Sequence, residues 1–337
     1  MPGPGLAPLF PNPLYTGDMT QAARVCVVGS LNMDLVVRAP RLPVPGETVL
    51  GGAYRTYPGG KGANQAVAAR RMGSQVSLVG CIGDDPHGIK VRQTLEAEGL
   101  DLTHLRTRPG EATGLALITV AEGGENTIVV SPGCNAMLRE EDITLARAAF
   151  ENCDVVLMQL EIPNPAISAA AALGHQLGKV VILNAAPART LPAELMKSVD
   201  VLVVNRSEAA RLLGLDASID PARLALRLPE LGTPVVVLTQ GSQGAILTHR
   251  GRPRRVPAHP VAALDSTGAG DAFCGALASA WPWKTTPRSH EEFKEAEEAL
   301  IIASAAGAIA TTKMGAIASM PKADEVMAAA AAMKPAS

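Results

Sequence analysis

Within seven residues, Asp265-Ser266-Thr267-Gly268-Ala269-Gly270-Asp271 joins a small-residue turn to a carboxylate. The run that follows, Ala272-Phe273-Cys274-Gly275-Ala276-Leu277-Ala278, reads as the opening of a helix. A turn of this kind leaves backbone N–H groups unpaired at the positive end of the helix dipole, with no side chains to crowd them. Such an end suits an anion, above all a phosphate. Asp271 places negative charge where the anion should sit. That makes chemical sense if the acid removes a proton from a hydroxyl that attacks the phosphate. An acid in a first helical turn can also do no more than cap or charge it, so this stretch alone leaves both readings open.

A second glycine cluster, Pro58-Gly59-Gly60-Lys61-Gly62-Ala63-Asn64-Gln65, also leads into a small-residue helix, here running to Arg71. Its likeness to a Walker A loop is superficial. Arg55 stands where the first glycine belongs, and Gly62 replaces the Ser or Thr that would bind magnesium. The glycines still give a helix end that a ligand can approach, with Lys61 and Asn64 as candidate contacts. Upstream, a strand over Arg24–Gly29 is followed by Asn32 and Asp34, whose spacing of two puts both on one side of an extended segment. Two such groups can hold adjacent hydroxyls of a polyol, although Asn and Asp also favour plain turns.

These groups need a frame, and the middle of the chain supplies its pattern. Short apolar runs, Val155–Leu160, Val180–Leu183, Val201–Val204 and Val235–Leu238, alternate with helical stretches, as buried parallel strands do. Each ends in polar residues: Glu161, Asn184, Asn205 with Glu208, then Thr239-Gln240-Gly241. A row of this kind predicts a cleft along the carboxyl edge of a doubly wound, mostly parallel sheet with helices on both faces. Leu35–Arg38 and Thr48–Tyr54 predict two strands, and Gly114–Val120 with Asn126–Val130 a hairpin. Neither pair alternates with long helices. They are expected to form a small separate sheet that covers the site as a lid, excluding water from a phosphate transfer. A polar insert over Trp281–Glu298 should be a loop running into a helix over Ala299–Ala310. Thr311–Ser319 should return as a loop beside the Asp271 stretch, ahead of a last helix, Ala323–Met333.

The chain has 337 residues, 47% apolar, with a net charge of −2. That is ample for one large α/β domain and gives no electrostatic footprint for nucleic acid or a membrane surface. The five cysteines are scattered and never spaced C-x-x-C, which fits reduced thiols in a cytoplasmic protein. Residues 1–23 are rich in Pro and Gly and read as a disordered or loosely packed extension.

The glycine-lysine signature from Gly59 to Gln65 and the signature from Asp265 to Asp271 together resemble those of the ribokinase-like sugar and nucleoside kinases. Gly29-Ser30-Leu31-Asn32-Met33-Asp34, Gly83-Asp84-Asp85, Gly124–Val130 and Gln159-Leu160-Glu161-Ile162-Pro163 resemble further segments of that family, from about Arg24 to Pro321. The resemblance implies one kinase domain over 24–333, with lid strands from about 35–54 and 113–130. It implies ATP-dependent phosphorylation of D-ribose at the 5-hydroxyl, with Asp271 as general base and Gly268, Ala269 and Gly270 as the anion hole. Asn32, Asp34, Gly60, Lys61, Asn64 and Glu161 would hold the sugar. Asn205 and Glu208 would order Mg²⁺ and the triphosphate through water, and Thr239, Gly241 and Gly270 would line the nucleotide. Asp265, Thr267, Ala310, Gly315 and Ser319 would hold K⁺. The lid sheet would double as a homodimer interface. Three features depart from the family pattern: Ser266 where Thr is usual, Arg206 where an acid is frequent, and Ala185 where a proline often follows the Asn. Alternatives within the family are 2-deoxyribose, fructose or a keto-deoxy sugar acid, the last disfavoured because only Lys61 offers it a cation. A non-catalytic sugar or nucleotide sensor is the reading from another class.

Overall fold

The computed structural model describes residues 23–216, 218–249, 251–282 and 290–333. In chain order the elements are β1 (Arg24–Val28), β2 (Asn32–Ala39), β3 (Arg55–Gly59), α1 (Lys61–Arg71), β4 (Gln75–Gly83), α2 (Pro86–Ala97), β5 (Leu105–Arg108), β6 (Gly114–Ala121) and β7 (Asn126–Ser131). There follow α3 (Glu140–Leu145), α4 (Arg147–Glu151), β8 (Val155–Gln159), α5 (Asn164–Gln176), β9 (Val180–Asn184), α6 (Ala193–Lys197), β10 (Val201–Asn205), α7 (Arg206–Leu212) and α8 (Pro221–Arg227). The last third holds β11 (Val235–Thr239), β12 (Ala245–His249), β13 (Arg252–Val256), α9 (Ala269–Ala280), α10 (His290–Ala310) and α11 (Ala323–Met333).

Among the described residues, nine strands form the main sheet in the order β13-β12-β11-β10-β9-β8-β1-β4-β5. From β11 to β5 every pair is parallel; β12 and β13 turn back antiparallel at one edge. Alternate residues of the central strands enter two separate cores. Val25, Val27, Val155 and Leu157 face one, and Cys26, Val28, Val156 and Met158 face the other. Both faces of the sheet are therefore covered, which is why these strands read as unbroken apolar runs.

The expected second sheet is present, in the order β3-β2-β6-β7. Thr48–Tyr54 forms no strand in it. This segment is exposed save for the intermediate Glu47 and Val49 around its start, and its Gly51-Gly52 pair gives the chain no side chains to anchor. The place beside β2 goes to Arg55–Gly59, which brings Gly59 opposite Asn32 and so delivers the glycine cluster to the cleft. The hairpin of β6 and β7 forms as expected. Helix α10 begins earlier than its apolar part predicts, at His290. Residues 1–22 of the expected extension and 283–289 of that insert lie outside the described residues. The final helix spans Ala323–Met333 as read from the sequence. No described helix is long and apolar enough to cross a membrane.

One contact sets the spacing of the frame. Helices α1 and α9 cross at Gly275, where a Cβ would come within 2.5 Å of the Ala68 Cβ and 2.6 Å of the Gln65 carbonyl oxygen. Next to this crossing, the Ser279 hydroxyl lies 3.3 Å from the Ala69 carbonyl, and Ser74 Oγ is 2.9 Å from Ser279 Oγ.

Candidate active site

The sheet register lines up the polar strand ends. Gln159 of β8 sits opposite Asn184 of β9, and Asn205 of β10 opposite Thr239 of β11. The anticipated row therefore exists, along the carboxyl edge that α1 and α9 flank.

Asp271 stands at its centre, buried, in the first turn of α9. Its Oδ2 accepts a hydrogen bond from Asn64 Nδ2 and its Oδ1 one from Gln65 Nε2, both at 2.9 Å. Gln65 Nε2 also lies 3.1 Å from Asn184 Oδ1, and Gln65 Oε1 accepts from Gln159 Nε2 at 2.7 Å. Two donors, one on each oxygen, fix the direction in which the carboxylate points. Gln65, Gln159 and Asn184 had no assigned role in the sequence reading. Gln65 stands in the first signature and Asn184 in the row of polar strand ends, but nothing local to either pointed to their pairing.

The turn ahead of Asp271 leaves main-chain amides open, with one change from expectation. Gly268 takes φ 76°, open to glycine, and starts α9 without a side-chain cap. Ala269 does not offer its amide: that N–H donates to the Ser266 carbonyl at 3.2 Å. The amides of Gly268, Gly270 and Asp271 have no acceptor among the described residues. The usable donors are thus shifted one residue toward the helix.

The proposed sugar contacts gather across from Asp271. Asn64 Oδ1 is buried and has no donor among the described residues, as an acceptor waiting for a hydroxyl would be. Glu161 Oε2 accepts from Ser30 Oγ at 2.6 Å and from the Lys61 amide at 3.2 Å, and the Lys61 ammonium is 4.0 Å from Glu161 Oε1. Gly60 caps α1 at φ 89°. Asn32 Oδ1 accepts from Asn135 Nδ2 at 2.7 Å, a partner the sequence did not suggest. The Asp34 carboxyl is pushed up to about 7, by burial first and then by the charges of Glu161 and Asp271, with Lys61 opposing. The Lys61 ammonium is raised in turn, by Asp271 first, against burial and with help from Glu161 and Glu208. One cation therefore serves four carboxylates, an arrangement that favours hydroxyl-rich, uncharged ligands over further acids.

Asn205 and Glu208 form a reciprocal cap on α7. Asn205 Oδ1 accepts from the Glu208 amide at 2.9 Å, and Glu208 Oε2 from the Asn205 amide at 2.8 Å. Burial raises the Glu208 carboxyl, opposed by the Asn205 amide and by Lys61. Only one Glu208 oxygen is taken by the cap. A partly buried acid with a spare oxygen fits a hydrated Mg²⁺, which keeps most of its waters and needs few protein ligands. Thr239 and Gly241 lie at the end of β11, with Gly241 opening a tight turn over Gly241–Gln243. They join the centre through the sheet register, and no hydrogen bond links them to Asp271.

The Thr311–Ser319 loop returns beside the Asp271 stretch as expected. Thr311 O accepts the amides of Leu264 and Asp265, at 2.7 and 3.0 Å. Asp265 Oδ1 accepts from the Thr267 amide and hydroxyl, and its Oδ2 from the Gly315 amide at 3.0 Å. Burial pushes the Asp265 carboxyl up, but the bonds from Thr267 and Gly315 outweigh it and hold it below its ordinary value. Ser319 is fully buried, its hydroxyl 2.8 Å from the Ala316 carbonyl. Ala310 ends α10 next to Thr311. Both Asp265 oxygens thus face the donors of Thr267 and Gly315, and the returning loop adds the Thr311 and Ala316 carbonyls and the Ser319 hydroxyl to the same neighbourhood, all of them oxygen ligands of the kind a large monovalent ion takes.

The profile of the pfkB family carbohydrate kinases matches residues 22–323. A ribokinase of Haemophilus influenzae is 37% identical over 303 residues, 89% of this chain and 96% of that protein. A deoxyribokinase of Salmonella typhimurium is 35% identical over 257 residues, 75% of this chain and 84% of that protein. Among solved structures, the ribokinase of Arabidopsis thaliana complexed with ribose and ATP aligns with a TM-score of 0.81 at 31% identity, covering 92% of this chain and 99% of that one.

Proposed function

From the premise that this chain belongs to the pfkB family of carbohydrate kinases, we propose that it transfers the γ-phosphoryl group of ATP to the 5-hydroxyl of D-ribose. The observation that carries the reading is the buried Asp271 carboxylate, held by Asn64 and Gln65 beside three unpaired amides. In the reaction Asp271 takes the proton of the 5-hydroxyl as its oxygen attacks. Asn64 and Gln65 keep the acceptor oxygens turned toward it. The amides of Gly268, Gly270 and Asp271 face the phosphoryl group, where charge stabilisation is usually the largest catalytic contribution. Asn32, Asp34, Gly60, Lys61 and Glu161 hold the other hydroxyls, and the spare Asn64 Oδ1 accepts from one of them.

Thr239 and Gly241 line the nucleotide. Asn205 and Glu208 would hold Mg²⁺ through water, where it supplies neutralising charge to the phosphates. Asp265, Thr267, Ala310, Gly315 and Ser319 would hold K⁺, whose contribution is to fix the shape of the anion turn. One kinase unit over 24–333 accounts for the shared cores, and the four-stranded sheet serves as lid. Its outer residues Leu117, Ile128, Val129 and Val130 are exposed, which supports a homodimer closed through that sheet; light scattering of the purified protein checks it. A cytoplasmic location agrees with five unpaired, buried cysteines.

The test is ADP release with MgATP, K⁺ and a panel of sugars. D-ribose should be the preferred acceptor; no ADP above background with any sugar would leave the sensor reading standing. A second reading, phosphorylation of 2-deoxyribose, is favoured by the deoxyribokinase relative, and the same panel separates it.

A further inference from the structure

Arg71 ends α1, far along the helix from the glycines that open it, and none of its bonds serves the cleft directly. Its Nε and Nη2 donate to both carboxylate oxygens of Glu98, at 3.1 and 2.6 Å, just past α2. Its Nη1 donates to two main-chain carbonyls of the returning loop, Ile317 at 3.1 Å and Met320 at 2.7 Å. Those carbonyls bracket the tight turn Ile317–Ser319. The loop in turn lies under the anion turn: a Cβ on Gly268 would come within 3.0 Å of the Met320 Cε and 3.3 Å of the Ala316 Cα. A chain of contacts therefore runs from Glu98 through Arg71 and the 317–320 turn to Gly268.

The planar fork of a guanidinium suits this duty, since it can grip a carboxylate on one edge and carbonyls on another without losing its orientation. Two carbonyls drawn to Arg71 are also two carbonyls kept from turning toward a cation, so the clamp decides which oxygens of the loop remain for an ion.

We propose that Arg71, oriented by Glu98, is a positioning residue that sets the geometry of the 315–320 loop, and with it both the monovalent-cation site and the backing of Gly268. This rests on the cation reading of Asp265, Thr267, Ala310, Gly315 and Ser319 given above. Neither Arg71 nor Glu98 is among the residues proposed to hold sugar or nucleotide.

The experiment titrates K⁺, with Na⁺ or choline keeping the ionic strength constant, on wild type, Arg71→Ala, Arg71→Lys and Glu98→Gln. Two quantities are read: the melting temperature without substrates, which rises with any ion that binds the folded state, and the turnover rate at saturating MgATP and sugar. The expected result is a half-saturating K⁺ concentration raised about tenfold or more in Arg71→Ala by both readouts, an amount equivalent to the loss of one charge-assisted hydrogen bond. Glu98→Gln should shift it less, Arg71→Lys should recover part of it, and turnover should return toward wild type at high K⁺. The sugar KM at high K⁺ should stay within about twofold of wild type, a split that general loosening of the fold would not produce. Half-saturation within about twofold of wild type in both Arg71→Ala and Glu98→Gln overturns the proposal while leaving the cation site intact. A wild type whose melting temperature and turnover both ignore K⁺ overturns the cation reading and the proposal together. Should Arg71→Ala not fold, Glu98→Gln decides by the same criterion.

Discussion

Helices α1 and α9 both start on a glycine at positive φ, Gly60 at 89° and Gly268 at 76°, and neither start has a side-chain cap. Their ends are finished in opposite ways. At α1 the amides are already used: Lys61 N donates to Glu161, Gly62 N to Ser30 Oγ, Ala63 N to Ser30 O, and Asn64 N to Gly60 O. At α9 Ala269 and Ala272 have partners, and Gly270 and Asp271 do not. The first helix thus offers side chains to the cleft, Lys61 and Asn64, and its positive end is neutralised by an acid of the protein itself. The second offers main-chain donors, and its positive end is left for a ligand. Under the proposed function, one local motif, small residues running into a helix, would serve a neutral sugar in one place and a travelling phosphoryl group in the other. What separates them is whether a distant residue has filled the amides.

This contrast can be broken at either helix. The largest effect should come from Asp271→Asn, which keeps the shape and removes the base: turnover falls about 10²–10⁴-fold while nucleotide binding, followed by calorimetry, persists. Turnover near wild type would remove Asp271 from its role. Next comes Gly270→Pro, which deletes a single N–H in the first turn of α9, where no intrahelical bond is lost. If that amide faces the phosphoryl group, kcat drops about 10²–10³-fold, with the sugar KM little changed; an unaltered kcat would show the amide to be idle. At α1 the expectation reverses. Lys61→Met should act on sugar affinity, about ten- to a hundredfold for a charged hydrogen bond, and less on kcat. A larger loss in kcat than in sugar KM would dissolve the distinction drawn here.

The smallest effect concerns pH. Asp34 titrates near 7 in the folded protein against an ordinary 3.8. A raised folded-state value means that its contribution to stability is complete below about pH 4 and is lost as pH rises toward 7. The stability of wild type relative to Asp34→Asn, from urea unfolding at several pH values, should therefore decline across that interval. Parallel curves would mean that the acid is not squeezed by burial and by Glu161 and Asp271.

How far the sequence could be read follows from the range of each interaction. The strands β8 to β11, their polar ends, the hairpin of β6 and β7, and the starts of α1 and α9 depend on neighbours a few positions away, and local patterning is enough to reveal them. Thr48–Tyr54 misled because alternation says that a segment could be a strand, not that a partner strand is free for it. The groups that complete the site are remote. Ser30 meets Glu161 across 131 residues, Gln65 meets Asn184 across 119, and Gln65 meets Asp271 across 206. A glutamine that steadies a buried carboxylate looks, in the sequence, like any polar residue of a helix. The amide of Ala269 was assigned to the anion hole for the same reason: its link to Ser266 is a property of the turn's shape, not of its composition.

Gly275 lies one helical turn beyond Asp271, away from every proposed reactant, at the point where α9 meets α1 most closely. The gap between Asp271 and the opening of α1 is therefore gauged from behind, by a methyl group that is missing. Any side chain there would act as a shim, prising Asp271 from Asn64 and Gln65 while every group in the cleft kept its identity. Under the proposed function, sugar preference would accordingly respond to this scaffold contact without a single change among the residues proposed to hold the sugar.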